Sequence, residues 1–238
     1  FVVTALLDDA STWSLTDLQS METHSLSELG DVDWPHNSDV YLAENGVQGT
    51  YALAVFNPSL TLAEGPALLQ PEGFPGEIML VSGSLDDVTW IDVPHDLTSP
   101  YSVHISPDGE HIAVVDMPRA QSPGKATIAI LRTSDGAEVT RTDEFNHSQL
   151  PDIIWVGDGE SVVYAQSGSV MILEAEAGSA PQTLLESDER LFDLKTTHDP
   201  DVLTISESGA STSEWRGESD RVYTINARTG DVKTFEGR

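Results

Sequence analysis

The sequence predicts an all-β fold assembled from repeated antiparallel hairpins. Most segments are five to seven residues long, rich in Val, Ile, Thr and Tyr, and alternate between apolar and polar residues, which is typical of half-buried strands. Turns centred on Asp108, Asp158 and Asp199 recur 50 and 41 residues apart. Long segments with helical periodicity are hard to find. Repeated strands at this spacing indicate a repeat architecture.

Hairpins of a first kind join two apolar-alternating strands through a turn centred on Asp or Asn. The clearest copy is residues 104–115, HISPDGEHIAVV, in which Gly109 supplies a positive φ and Asp108 caps the local backbone. Looser copies are found at 154–164, 195–205 and 32–42, the last with its turn at Asn37.

Hairpins of a second kind each follow one of the first. Each has a strand with an apolar pair, a turn of the Asp-Gly or Thr-Gly-Asp type, and a polar strand that leads away. They are found at 127–143, 169–187, 221–237 and 11–26, with a plausible fifth at 77–93.

Two hairpins in series form a four-stranded meander of about 40–50 residues, the length of a β-propeller blade. A single meander cannot bury both faces, so neighbouring meanders must stack radially. We therefore predict one domain over residues 1–238, a β-propeller of five or six four-stranded antiparallel blades. A β-sandwich with coincidentally similar hairpins is the alternative.

The N-terminal part of the chain fits the repeat less well. The segment 50–76, rich in Pro and Gly, is predicted to be an insertion in one blade or a compressed blade of its own. Residues 1–7 are predicted to be the second strand of a first blade whose initial strand lies before residue 1.

The repeats resemble those of bacterial TolB-like and WD40-like β-propeller proteins, whose unit reads SPDG…IAVV…IAIL…DG. Residues 101–143 carry this resemblance well, 151–187 and 191–237 moderately, and 1–95 weakly. The Trp-Asp dipeptide typical of WD40 repeats is missing. The resemblance implies a fold and no particular activity, because propellers host binding proteins, scaffolds and several classes of enzyme.

The charge and composition of the chain limit the classes of molecule that it can bind. Forty acidic residues against eleven Lys and Arg give a formal charge of −29, so the surface repels polyanions and nucleic acid is excluded as a partner. The acidity serves solubility or, alternatively, attracts a cationic ligand or metal. No apolar run approaches 18 residues, and cysteine is absent. We expect an extracytoplasmic protein that is secreted, periplasmic or surface-anchored.

Candidate site residues lie in the loops that join successive blades and in those that join the second and third strands of a blade, since both sets converge on one face. His95, Asp96 and His147 in the blade-to-blade loops are candidate ligands for a divalent metal, with hydrogen-bonded loop histidines as the alternative. Candidate ligand-binding residues in the loops within blades are Trp215, Arg216, Arg119 and Asp116. Trp215 could equally pack back onto its blade.

The motifs favour a binding protein over an enzyme. The chain has no Gly-x-Ser-x-Gly elbow, no cysteine nucleophile and no Gly-rich phosphate loop. The first hypothesis is a non-enzymatic extracytoplasmic binding or scaffold propeller that presents its loop-rich face to a protein or small ligand, with a divalent metal as a subsidiary form. The alternative is a metal-dependent propeller hydrolase or lactonase, although no set of channel ligands can be singled out.

Overall fold

The computed structural model describes the C-terminal part of the chain most fully. The described residues are 100–116, 125–146, 153–166, 168–208 and 221–236, together with the N-terminal segments 2–4, 14–16, 21, 23–25, 39–42, 50–56, 77–82, 88–92, 94 and 97. Among these residues every regular element is a β-strand, apart from one 3-10 turn at Gly157–Gly159. The predicted all-β class is confirmed.

The N-terminal strands form two antiparallel sheets, in which each strand pairs with the next along the chain. The first sheet contains β1 (Val2–Thr4), β2 (Ser14–Thr16) and β3 (Thr23–Ser25). The second sheet contains β4 (Asp39–Leu42), β5 (Thr50–Phe56), β6 (Glu77–Ser82) and β7 (Val88–Asp92).

Three further sheets follow with the same order of strands. The third sheet contains β8 (Pro100–Ile105), β9 (His111–Asp116), β10 (Lys125–Arg132), β11 (Glu138–Arg141) and the short β12 (Phe145–Asn146), which pairs back onto β10. The fourth contains β13 (Ile153–Val156), β14 (Ser161–Gln166), β15 (Ser169–Glu174) and β16 (Gln182–Glu186). The fifth contains β17 (Arg190–Thr196), β18 (Val202–Ser208), β19 (Arg221–Asn226) and β20 (Val232–Glu236).

The predicted hairpins correspond closely to strand pairs. All five hairpins of the second kind are antiparallel pairs, β2–β3, β6–β7, β10–β11, β15–β16 and β19–β20. Of the first-kind hairpin 32–42, residues 32–38 lie outside the described residues, and 39–42 form β4, which pairs with β5 in the second sheet. Of the segment 50–76, residues 50–56 are β5, the second strand of that sheet, and 57–76 lie outside the described residues.

The third sheet is buried on both of its faces. Because successive side chains of a strand point to opposite faces, Ile112 and Val114 pack with the second sheet, whereas Ala113 and Val115 pack against the fourth. All four side chains are fully buried. In a two-layer sandwich each sheet leaves one face to solvent, so this stacking rules out the β-sandwich alternative.

The fourth sheet repeats this arrangement. Val162 and Tyr164 of β14 belong to the cluster shared with the third sheet, and Val163 belongs to the cluster shared with the fifth. Each consecutive pair of sheets from the second to the fifth therefore shares one apolar core layer.

Turns at one end of the sheets also touch from sheet to sheet. In the β8–β9 turn, Asp108 accepts hydrogen bonds from the Ser106 hydroxyl and, at 3.0 Å, from the backbone N–H of Glu110. The same carboxylate lies against Gly159 in the β13–β14 turn of the fourth sheet. In turn, the Gly157 N–H donates to Asp201 of the fifth sheet at 3.0 Å.

His104 of β8 lies between the third and fourth sheets, where alternation with Val103 and Ile105 predicts it. Its backbone carbonyl accepts a 3.0 Å hydrogen bond from the indole N–H of Trp155, and its ring Nε2 lies 3.1 Å from the Ser102 hydroxyl. Burial lowers the pKa of His104 from 6.5 to about 4, because the charged imidazolium loses its hydration there.

This lowered pKa predicts acid sensitivity. Above pH 6.5 His104 is neutral in both the folded and unfolded states; as the pH falls further, the unfolded chain takes up the proton first and the free energy of unfolding drops. Between pH 7.5 and 5 the loss from His104 should be about 2 kcal/mol. His104→Gln should lose correspondingly less stability over that range, as measured by urea unfolding at each pH. Parallel pH curves for the two proteins would contradict this assignment.

Candidate functional site

An open cleft lies between the third and fourth sheets. Its volume is about 550 Å³, within the usual range of about 300–1,000 Å³ for small-molecule sites. The described residues that line it are Thr142, Asp143, Glu144, Phe145, Asn146, Tyr164, Gln166, Met171, Ala180 and Pro181. The cleft is therefore formed by the connection leaving the third sheet, by one face of β14 and β15, and by the loop before β16.

An interruption in the outer strand of the third sheet shapes this cleft. The chain leaves β11 at Arg141 and pairs again with β10 only at Phe145. Thr142 holds the break in place: its N–H donates to the Ile128 carbonyl at 3.0 Å, and its hydroxyl accepts from the Ile128 N–H at 2.9 Å. Both bonds are satisfied at buried positions, so residues 143–146 are presented at a fixed place.

The floor of the cleft is apolar and aromatic. The rings of Phe145 and Tyr164 have centroids 5.1 Å apart and are tilted by 34°, a favourable aromatic arrangement. Met171 pairs directly with Tyr164 across β14 and β15 and so lies on the same face. Phe145 and Tyr164 are almost fully buried, which anchors the floor in the shared core.

The rim of the cleft is polar and acidic. Asp143 and Glu144 are exposed there. Glu144 Oε1 lies 3.4 Å from Lys125 Nζ, whereas Asp143 has no ion pair within the described part of the chain. No Lys or Arg is among the described lining residues. The mouth of the cleft thus carries negative charge.

Tyr164 adds one polar group to the apolar floor. Its side chain is 1% exposed, and burial raises the pKa of its hydroxyl to about 12. The hydroxyl is therefore neutral at pH 7 and can both donate and accept a hydrogen bond.

Of the candidate residues from the sequence, only Asp116 lies in the described part. It ends β9 opposite Thr127, and its side chain is 4% exposed and has a partner, so it is part of the packed blade. The other candidate ligand-binding residues and the candidate metal ligands lie outside the described residues; they are Trp215, Arg216, Arg119, His95, Asp96 and His147. Among the residues that the structure describes, no group of three or more His, Asp and Glu side chains could hold a metal ion.

Glu207 in the fifth sheet matches Asp116 in position, and the sequence reading missed it. Its side chain is 3% exposed and accepts hydrogen bonds from the Ser187 hydroxyl, from the Tyr223 hydroxyl at 2.8 Å and from Arg221 at 3.1 Å. Burial by itself would raise the pKa of Glu207, but these hydrogen bonds and the charge of Arg221 outweigh burial and lower that pKa. Ser187 precedes β17, so the cluster fastens the connection between the fourth and fifth sheets.

These sheets, joined in series through shared core layers, define a β-propeller. The propeller of Dos1 is similar in fold, with a TM-score of 0.52 at 11% sequence identity over 81% of this chain and 44% of that one. The β-propeller domain of the Trilobed protease from Pyrococcus furiosus matches at a TM-score of 0.49 and 11% identity, over 83% of this chain and 58% of that one. An uncharacterised protein from Listeria monocytogenes matches at 0.46 and 12% identity, over 79% and 51%.

The chain thus spans about half the length of the solved structures that it matches. No family model and no curated protein matches the sequence. In the described part of the chain, no helix has the length and apolar character needed to cross a membrane.

Proposed function

We propose that this chain is a non-enzymatic, extracytoplasmic binding propeller and that the cleft between its third and fourth sheets holds a small ligand. The observation that carries the proposal is the cleft itself, whose volume of about 550 Å³ is that of a small-ligand site and whose lining combines apolar side chains with the acidic groups of its rim. Such sites combine apolar contact area with a few polar groups that orient the ligand.

The predicted loop-rich face supports the choice of this cleft. His147 is expected in a blade-to-blade loop on that face, and residues 144–146, which precede it in the chain, line the cleft. The β16–β17 connection belongs to the same end of the sheets, since the Ser187 N–H donates to the Gly168 carbonyl of the β14–β15 turn at 2.8 Å. A ligand in the cleft would therefore touch the start of a blade-to-blade loop.

Two further parts of the proposal rest on the sequence. The net charge of −29 and the absence of cysteine support an extracytoplasmic location. The repeats at 101–143, 151–187 and 191–237 support a propeller of the TolB-like type.

Blocking the cleft tests the proposed site. Ala180 is exposed at the edge of the cleft, so Ala180→Trp should fill it without disturbing the core, whereas Ala137→Trp places the same bulk at an exposed position that does not line the cleft. We expect fragments that bind the wild type at millimolar concentration in ligand-observed NMR to lose at least tenfold in affinity for Ala180→Trp and to bind Ala137→Trp unchanged. A library with no binders, or binders indifferent to Ala180→Trp, overturns the proposal.

A further inference from the structure

The residues that follow β11 contain an acceptor sequence for asparagine-linked glycosylation. Asn146, His147 and Ser148 have the pattern Asn-x-Ser, in which the middle residue is any residue except proline. None of the other asparagines of the chain begins such a pattern, because the one further Asn-x-Ser, at Asn57, has Pro58 in the middle. The sequence therefore offers a single acceptor.

Glu144 extends this acceptor sequence. It stands two positions before Asn146, where the acceptor sequences of bacterial asparagine-linked glycosylation have an acidic residue. The side chain of Glu144 is 47% exposed, so a transferase can reach it. Asn-x-Ser by itself is a common pattern, and the acidic residue at this spacing makes the match more specific.

The structure places Asn146 at an exposed edge of the third sheet. Among the described strands, β12 pairs only with the start of β10, where Asn146 lies opposite Lys125. Its neighbour Phe145 is buried in the core shared with the fourth sheet. Because successive side chains of a strand point to opposite faces, the exposed Asn146 side chain points away from that core. A sugar attached to it would therefore meet solvent and no packed layer.

The side-chain amide of Asn146 keeps most of its hydrogen-bonding capacity when it carries a sugar. An asparagine side chain has a carbonyl oxygen and two N–H groups. Attachment replaces the hydrogen of one N–H, so the oxygen and the other N–H stay available for the interaction that Asn146 makes in the folded chain. Modification is thus compatible with the folded structure.

We infer that Asn146 is a site of asparagine-linked glycosylation. The inference rests on the extracytoplasmic location in the proposed function, because the transferases that recognise Asn-x-Ser act on that side of the membrane. The donor is a lipid-linked saccharide phosphate. The bond between C1 of its first sugar and the phosphate oxygen breaks, a bond forms between C1 and Nδ2 of Asn146, the phosphate leaves on the lipid, and one amide proton is released.

A glycan at Asn146 would border the cleft, since Asn146 is one of its lining residues. Glycans are bulky and strongly hydrated. The modification would therefore add a polar, saccharide-covered edge to the rim that Asp143 and Glu144 begin.

Peptide mapping of the protein purified from the cells that make it tests the site. Trypsin cuts after Arg141 and Arg190 and releases the peptide 142–190, in which Asn146 is the single asparagine. We expect mass spectrometry to find this peptide heavier by the mass of a saccharide, and fragmentation to place that mass on Asn146. Asn57 should carry no such addition, because Pro58 follows it.

Variants at Ser148 separate recognition of the acceptor sequence from other effects. Ser148→Ala keeps Asn146 but removes the hydroxyl that the transferase requires, so the added mass should be lost. Ser148→Thr restores a hydroxyl at the same position and should retain the added mass. Asn146→Gln removes the acceptor itself and should behave like Ser148→Ala.

The outcomes distinguish this inference from the proposed function. An unmodified peptide from a protein that is found outside the cytoplasm overturns the glycosylation site and leaves the proposed function standing. An unmodified protein that is found in the cytoplasm overturns the proposed location as well. An added mass that survives Ser148→Ala or Asn146→Gln lies on another side chain and overturns the assignment to Asn146. Fragment binding and its loss in Ala180→Trp test the cleft separately.

Discussion

Replacing Gly159 with alanine should destabilise the protein by about 3 kcal/mol, one of the largest effects expected of a single added methyl group. Gly159 has a φ of 107°, a conformation in which a side chain is strained. A Cβ built there would also lie 2.7 Å from one carboxylate oxygen of Asp108 and 2.9 Å from the other. Asp108 cannot easily withdraw, because it holds its own turn together through Ser106 and Glu110.

Gly178 provides the matched control for this prediction. Its φ is 81°, yet an added Cβ would meet nothing within 4 Å. Gly178→Ala therefore carries the backbone strain alone and should cost about 1–2 kcal/mol. Urea unfolding of both variants measures the difference, which is the cost of crowding Asp108. Equal losses would mean that the close approach of the two turns contributes nothing.

A double variant isolates the same contact. Asp108→Ala by itself loses the hydrogen bonds of its turn. In the Gly159→Ala background, however, it also removes the clash. The double variant should therefore lose less free energy of unfolding than the sum of the losses of the two single variants. Additive losses would contradict the proposed steric contact.

Removing the carboxylate of Glu207 should have a comparably large effect, with Glu207→Ala costing about 3 kcal/mol. The side chain is 3% exposed and accepts from two hydroxyl groups, so its loss leaves the Tyr223 hydroxyl buried without this partner and frees Ser187. Glu207→Gln retains an acceptor oxygen and should cost less, about 1 kcal/mol. Glu186→Ala, at an exposed position of β16, should have little effect on the free energy of unfolding.

The stability that Glu207 contributes should be lost in acid. Because its pKa is lowered in the folded protein, its contribution to stability is present above the unfolded pKa and is lost as the pH falls through the folded value. The difference between wild type and Glu207→Ala should therefore be constant from pH 6 to 8 and shrink in acid. Equal stability of the two proteins at pH 7 would show that the cluster does not fasten the connection.

The fold could be predicted from the sequence because its signals are local. The hairpin 104–115 has a Pro-Asp-Gly turn between two alternating strands, and the structure places β8 and β9 there. Of the segment 32–42, only residues 39–42 are described, as β4, so its predicted turn at Asn37 stays a prediction.

The cleft could not be predicted, because its parts lie apart in the sequence and each has an ordinary local explanation. Tyr164 is one apolar residue of an alternating strand, and its position against Phe145 depends on how two sheets stack. The available signal was the polar run 142–144, which interrupts a strand pattern. Glu207 had a similar signal, an acid that continues the apolar alternation of Leu203 and Ile205.

Because neighbouring sheets share core layers, separating an inner sheet from its neighbours exposes two layers to water. The fourth sheet contributes one face to the cluster with Trp155 and the other to the cluster with Leu203. Pulling that sheet away from its neighbours would hydrate both layers at once, whereas opening the contact between the second and third sheets hydrates one. The third sheet shares both of its layers in the same way, so fluctuations that expose backbone amides to exchange are suppressed most strongly at the middle strands of these two sheets, which border the cleft.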